Sequence, residues 1–270
     1  ILKDPNDLGL FFMMNIPFSV YFIKHAKFLG KLISFSLLVG LLYGIYMTNS
    51  RGAMLALAGM VALYLLITYG GTKAIVFGLT LSPPAIFVAS AFRAVSSQEA
   101  SAMGRLWAWW DGLEMLKGNP IFGVGSSNFF EHHGKVAHNT YIQIAAELGL
   151  VGYLLWMSIL LLTLYMGFSV ISLIKNIDKE KLSDAMKAES ALCATCFYSL
   201  CGFAMTAFFL TRHRFIIYYI FVGIAIASYK RVIDTVGFED IAHYKTAITP
   251  IIGTSMAIII FIYIILKLTV

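Results

Sequence analysis

The chain alternates between long apolar segments and short polar ones. Segments long enough to cross a bilayer occur at about 8–23, 28–48, 52–69, 74–92, 142–166, 190–211, 214–229 and 250–267. A hydrocarbon core of about 30 Å requires about 20 apolar residues of helix. Backbone polar groups in lipid must pair within their own segment, and no segment alternates like a barrel strand. The pattern predicts about eight transmembrane helices, of which the first and seventh are short enough to be tilted or re-entrant.

The longest polar interval, residues 93–140, separates the fourth and fifth apolar segments. Within it, apolar residues recur at spacings of three and four, which predicts an amphipathic helix over Gly104–Lys117. Its tryptophans favour a position along the membrane interface. Residues 118–139 are rich in Gly, Asn and Ser and are expected to form turns. We therefore expect one membrane-embedded domain over residues 1–270, with this interval as its long external loop.

The composition agrees with a membrane protein and excludes other classes. With 59% hydrophobic and 13% charged residues, a chain of 270 residues is too apolar for a soluble domain. No basic stripe marks a soluble face, so nucleic-acid binding is not expected. Cys193, Cys196 and Cys201 share one apolar segment without further zinc ligands, and we expect them to pack there. The start lacks a Met and a signal peptide, which predicts a fragment that lacks upstream helices.

Charged residues set the expected orientation. Lysines are concentrated at 24–31, 175–187 and 230, and the positive-inside rule places those segments in the cytoplasm. Alternation then puts the turn at 49–51, the interval 93–140 and the turn at 211–214 on the outer face. We expect the loop to be periplasmic.

Arginines follow the opposite distribution. The outer set consists of Arg51, Arg93, Arg105, Arg212 and Arg214. The planar guanidinium matches phosphate oxygens better than an ammonium group does. This set predicts an anionic ligand at the membrane surface, such as a lipid-linked diphosphate. The alternative is that each arginine reaches toward lipid headgroups.

His138 lies at the expected start of the helix that follows the loop. Thr140 and Gln143 have the spacing of a capping box, with Asn139 as an alternative cap. The positive end of a helix disfavours the imidazolium, so we expect a neutral imidazole suited to a general base. The alternative is a structural histidine. Glu147, further along the same helix, is an ionisable group at a depth where such groups are costly, so it either orients a partner or extends outward.

Together these residues give the chain a resemblance to the O-antigen ligase/polymerase superfamily of bacterial envelope enzymes. The resemblance spans most of the chain, and its last two stretches are specific in combination. The four stretches are Asp4-Pro5-Asn6-Asp7; Asn49-Ser50-Arg51-Gly52; Gly104-Arg105-Leu106-x-x-Trp109 through Pro120-x-Phe122-Gly123-x-Gly125; and His138-Asn139-x-Tyr141-x-Gln143 with Glu147-x-Gly149-x-x-Gly152.

The resemblance implies a GT-C-like, all-α membrane bundle in the bacterial inner membrane, with its active site facing the periplasm. Such an enzyme moves a glycan from undecaprenyl diphosphate to a hydroxyl acceptor such as lipid A-core, without a metal or other cofactor. On matching positions, Arg51 and Arg105 would hold the diphosphate and His138 would activate the acceptor. Full members have more helices than this chain, so helices that complete the lipid groove are expected to be missing.

A wider set of residues is expected to bind substrate: Arg212, Arg214, Asn139, Glu147 and Trp109. Arginines can stabilise a departing diphosphate in place of a metal. Displacement by the acceptor hydroxyl at the anomeric carbon would invert the configuration.

Several alternatives share the same motifs. Within the superfamily, a polysaccharide repeat-unit polymerase or a protein O-glycosyltransferase differs only in its acceptor. From another class, the chain could bind or transport a lipid-linked glycan, as a catalytically inactive homologue or as a transporter. Transporters favour repeated halves and ionisable residues at the membrane midplane, whereas the charges here lie at the outer surface.

Overall fold

The computed structural model describes residues 4–71, 97–177, 182–236 and 244–269, with nine helices and no strand in those ranges. Six of the helices are long and apolar enough to cross a membrane: Phe28–Met47, Gly52–Tyr69, Thr140–Asn176, Asp184–Thr206, Ile216–Thr235 and Ala247–Thr269. This confirms the polytopic all-α fold. The nine are α1 (Pro5–His25), α2 (Phe28–Met47), α3 (Arg51–Tyr69), α4 (Ser97–Gly118), α5 (Phe129–His133), α6 (Thr140–Asn176), α7 (Asp184–Thr206), α8 (Ile216–Val236) and α9 (Tyr244–Thr269).

Six of the eight predicted spans therefore coincide with membrane-length helices. The predicted span at 74–92 lies outside the described residues. The first predicted span is helix α1, which is absent from the six because Asn15, Pro17 and the terminal Lys24-His25 lower its hydropathy. The carboxylate of Asp4 begins this helix by accepting a hydrogen bond from the Asn6 N–H at 2.9 Å.

The chain divides into two compact units. The first unit contains α1, α2, α3, α7, α8 and the part of α6 from Thr163 onward. Helix α7 packs against α1, α3 and α8, and the Ser199 hydroxyl donates to the Met14 carbonyl at 2.6 Å. Cys193, Cys196 and Cys201 are buried in α7 as free thiols, which agrees with their expected packing role.

The second unit contains α4, α5, the part of α6 up to Leu162, the turn at 207–214 and α9. The predicted helix at 104–117 is present within α4. Its fully buried stripe is Ala108, Gly112 and Met115, whereas the predicted apolar positions beside it are only half-buried. Position 112 has room only for glycine, because a Cβ there would lie 2.9 Å from the Phe129 ring.

Helix α6 is interrupted at Gly149, where φ is 65° and ψ is −168°. The interruption leaves carbonyls and N–H groups that a continuous helix would pair internally. Residues 120–125 cross the break and pair with both sides of it. Four backbone hydrogen bonds join the two segments: Val124 N–H to the Ala146 carbonyl (2.9 Å), Gly125 N–H to Glu147 (2.9 Å), Leu150 N–H to Pro120 (2.8 Å) and Val151 N–H to Ile121 (3.3 Å).

This crossing requires glycine at two positions. Gly123 and Gly149 have φ values of 69° and 65°, a region that side chains disfavour. A Cβ on Gly123 would lie 2.5 Å from the Ala146 carbonyl oxygen, and one on Gly149 would overlap the carbonyl of Ile121. Because the obstructing atoms are backbone atoms, they cannot rotate away. Gly123 and Gly149 belong to two different motifs of the sequence, and both are required for this one crossing.

We expect Gly149→Ala and Gly123→Ala each to lower the free energy of unfolding by about 2 to 4 kcal/mol, from positive φ together with the backbone clash. Thermal unfolding in detergent measures the effect. Gly253→Ala in α9 is the matched control, since a Cβ there meets nothing within 4 Å. The control should melt at or above the parent temperature because alanine favours helix. Equal melting temperatures for all three variants would show that the crossing does not require glycine at positions 123 and 149.

Candidate functional site

The segment that carries His138 is held in an unusual conformation. His138 has a φ of 50°, in the left-handed region where histidine is uncommon and costly, and its side chain is half-buried. The next residue, Asn139, is fully buried, and its carboxamide oxygen accepts from the N–H groups of Tyr141 (2.9 Å) and Ile142 (3.1 Å). Asn139 therefore caps α6, as the alternative interpretation of the sequence held.

Thr140 is the first residue of α6 and not its cap, so the predicted Thr140–Gln143 capping box is wrong. Its hydroxyl donates to the Leu210 carbonyl at 2.5 Å and accepts from the Arg212 N–H at 3.0 Å. Its own N–H donates to the Ala207 carbonyl at 2.7 Å. The start of α6 is therefore bound to the turn that carries the late arginines.

Helix α4 reaches the same segment through Trp109. The indole N–H of Trp109 donates to the Ala137 carbonyl at 2.8 Å, one residue before His138. Arg105 lies four residues earlier on α4, so the two side chains are neighbours on one helix face. Arg105 is half-buried and forms no hydrogen bond or ion pair with another described residue. Its Cα therefore lies one helical turn from the residue of α4 that contacts the His138 segment.

Gln143 links the His138 segment to Glu147. Its side-chain oxygen accepts from the Ala137 N–H at 2.9 Å, and its amide nitrogen donates to Glu147 Oε1 at 2.5 Å. Both side chains are buried. Gln143 accepts from a backbone N–H that precedes the helix, as a capping-box glutamine does, but the donor is Ala137 and not the N-cap residue.

Glu147 is paired with Arg214. Arg214 Nη2 lies 3.1 Å from Glu147 Oε2, with exposed side-chain fractions of 53% and 3%. The same guanidinium donates to Ser126 Oγ at 2.7 Å and to Ser127 Oγ at 2.8 Å. A carboxylate this deeply buried requires a cation and hydrogen-bond donors. Glu147 therefore orients a partner rather than extending outward.

His213, which the sequence did not single out, lies beside this pair. Its Nε2 accepts from Arg214 Nε at 3.1 Å, and this assigns the ring proton to Nδ1. Burial lowers the pKa of the imidazole to about 4, against the opposing effect of Glu147 and with a further lowering by Arg214. The 3.9 Å contact between His213 Nε2 and Glu147 is therefore a contact of a neutral ring.

The remaining predicted residues are Arg212, Arg51 and Arg93. Arg212 is half-buried, and its Nη1 donates to the Thr211 carbonyl at 2.6 Å. Arg51 begins α3 in the first unit, where the Ser50 hydroxyl caps the helix; its side chain is outside the described part, as is Arg93. The other predicted site residues all belong to the second unit. A shared site with Arg51 stays a prediction.

The second unit contains another polar pair that the sequence did not predict. His133 Nδ1 lies 2.6 Å from Asp111 Oδ2 and joins α5 to α4. No local pattern could reveal it, because the two residues are 22 positions apart.

Residues 36–157 match the family model described as O-antigen ligase. The match confirms the resemblance to the O-antigen ligase/polymerase superfamily and supports a function of that general type, that of a membrane glycosyltransferase-like enzyme. The matched range includes Arg105, His138 and Glu147 and ends before Arg212 and Arg214. No curated protein and no solved structure matches the chain.

We expect Arg214→Gln to lower the free energy of unfolding by about 2 kcal/mol, because it leaves the Glu147 carboxylate buried without its cation. Glu147→Gln in the same chain should recover part of that loss, so the double variant falls short of additivity. Glu114→Gln is the control: its pair with Lys117 has exposed fractions of 51% and 75%, and its loss should be about 0.5 kcal/mol or less. Strict additivity at Glu147 and Arg214 would contradict the pairing.

His213 should make the protein acid-sensitive. The unfolded chain takes up a proton near pH 6.5 and the folded chain only near pH 4, so stability is full above pH 6.5 and falls toward pH 4. The contribution lost is about 3 kcal/mol. His213→Gln keeps an acceptor for Arg214 and should flatten this part of the melting temperature's pH profile. An unchanged profile would show that His213 is not buried in its neutral form.

Proposed function

We propose that this chain transfers a glycan from undecaprenyl diphosphate to a hydroxyl acceptor at the periplasmic face of the bacterial inner membrane. The observation that carries the proposal is the O-antigen ligase match over 36–157, which contains both Arg105 and His138. The bond from Trp109 to Ala137 adds a physical reason, because it brings the helix of Arg105 against the His138 segment. We favour an acceptor on lipid A-core; a polymerase or a protein glycosyltransferase would use the same chemistry with another acceptor.

On the donor side, Arg105 is the best candidate for the diphosphate. Its guanidinium is uncommitted within the described residues, and its planar fork suits phosphate oxygens. Arg214, by contrast, already donates to Glu147, Ser126, Ser127 and His213. We therefore assign Arg105 the larger share in stabilising the leaving diphosphate, with Arg51 as its proposed partner and with Arg212 and Arg214 in second place.

On the acceptor side, His138 in its neutral form takes the hydroxyl proton as the oxygen bonds to the anomeric carbon. The bond from that carbon to the diphosphate oxygen breaks, and the electron pair leaves with undecaprenyl diphosphate. Attack opposite the leaving group inverts the anomeric configuration. Trp109 donates a hydrogen bond to the Ala137 carbonyl just before His138. Asn139, just after His138, accepts one from the Tyr141 N–H. Their proposed contribution is to hold His138 in place.

We expect glycan transfer in membranes to fall about a hundredfold or more in Arg105→Ala and in His138→Ala at normal expression, since each removes a group that acts in the transition state. The full-length protein and an undecaprenyl-diphosphate-linked glycan are used. Lys117→Ala and His132→Ala are matched controls, because both side chains are exposed and lie on the neighbouring parts of α4 and α5. The controls should transfer glycan at the parent rate.

Two results would contradict the proposal in different ways. Full transfer by both alanine variants would overturn the site assignment and leave the reaction intact. No transfer by the parent, with the donor still bound, would instead favour a protein that binds or transports a lipid-linked glycan.

A further inference from the structure

We infer that Gln143 is a positioning residue that holds the backbone preceding His138 in register with the Glu147–Arg214 ion pair. The inference rests on the proposed function, because it assigns the role through His138. A continuous chain of hydrogen bonds carries it: the Ala137 N–H donates to Gln143, Gln143 donates to Glu147, and Arg214 donates to Glu147 from the other side.

The surroundings fix the orientation of the Gln143 carboxamide. Its oxygen must face the Ala137 N–H, and the Thr211 hydroxyl also lies 3.5 Å from that oxygen. Its nitrogen must face Glu147, since a carboxylate only accepts. Gln143 is 3% exposed, so water cannot replace either bond at low cost. The position therefore requires one acceptor and one donor at fixed places.

The peptide group of Ala137 shows what this arrangement positions. Its carbonyl accepts from Trp109 on α4, and its N–H donates to Gln143 on α6. The following residue, His138, has a φ of 50°, a conformation that persists only where neighbouring contacts impose it. Gln143 supplies the contact from the α6 side. Without it, the imidazole would be free to leave the acceptor hydroxyl.

The same side chain completes the coordination of Glu147. One carboxylate oxygen accepts from Gln143 and the other from Arg214, with the neutral His213 beside the second. Loss of the Gln143 donor would leave Oε1 buried with no replacement from the residues named, and the carboxylate would reorient. Displacement of Glu147 would then also loosen Arg214 and the Ser126–Ser127 turn.

Gln143→Glu tests the inference because it keeps the size and the acceptor but removes the donor. At about pH 8 two carboxylates would face each other, so we expect kcat for glycan transfer to fall about ten- to a hundredfold with little change in KM for the donor. As the pH falls toward about 5.5, the pair takes up one shared proton and regains an O–H donor. Transfer relative to the parent should therefore recover in acid. Among the described residues, the charged or titratable groups in contact with Glu147 are Arg214 and His213, and both are unchanged in this variant.

Two further variants separate positioning from general packing. Gln143→Met fills similar space without polar atoms and should lose transfer at every pH. The double variant Gln143→Glu with Glu147→Gln returns a donor to the pair from the opposite side, and it should recover part of kcat at about pH 8. The melting temperature of Gln143→Glu in detergent, taken as its difference from the parent at the same pH, should be lowered at about pH 8 and should recover in acid, and this readout does not depend on activity.

The outcomes separate the inference from the proposed function. Unchanged kcat in Gln143→Glu at about pH 8, with transfer abolished in His138→Ala, would overturn the inference alone. A rise in donor KM at constant kcat would overturn it too, since Gln143 would then contact the ligand. If the parent transfers no glycan, the proposed function fails, and the melting profile still decides whether Gln143 holds this network: a loss independent of pH would overturn it.

Discussion

The site depends on the crossing of residues 120–125 over the interruption of α6 at Gly149. Four backbone hydrogen bonds fix the crossing, and each pairs a group that the interrupted helix would otherwise leave unsatisfied. The short helical segment before Gly149 is capped by Asn139 and carries Gln143 and Glu147. The loop that crosses it carries Ser126 and Ser127. Because the crossing is made of backbone, it positions these side chains without using any of them.

The buried carboxylate of Glu147 then fixes the positions of the side chains around this crossing. Glu147 lies just before the break, and its carboxylate fixes Arg214 on one side and Gln143 on the other. Arg214 extends the connection to the serine turn, while Gln143 extends it to the backbone beside His138. An ion pair contributes little net stability when burying one of its charges costs solvation, so the importance of this pair lies in the geometry that it imposes. Arg105 forms no hydrogen bond or ion pair with another described residue, and we propose it as the cation for the donor diphosphate.

Sequence patterns predicted most of the helices, because apolar runs of membrane length have few other structures available. They did not predict the break in α6: residues 142–166 form one apolar run, and Gly149 within it looks like a tolerated membrane glycine. The contact between Arg214 and Glu147 joins residues 67 positions apart, which no local spacing can reveal. His138, Asn139 and Arg105 could be proposed from the sequence because helix-start chemistry and motif spacing are local. His213 was missed because a single histidine between two arginines has no pattern of its own.

The lipid product of the reaction tests the proposed transfer most directly. Membranes that contain the full-length protein are supplied with an undecaprenyl-diphosphate-linked glycan and an acceptor, and both products are quantified by mass spectrometry. We expect free undecaprenyl diphosphate to appear in an amount equal to the glycan transferred, because the bond between the anomeric carbon and the diphosphate oxygen is the one that breaks. Glycan transfer accompanied by undecaprenyl monophosphate, or without release of the lipid diphosphate, would contradict the proposed transfer.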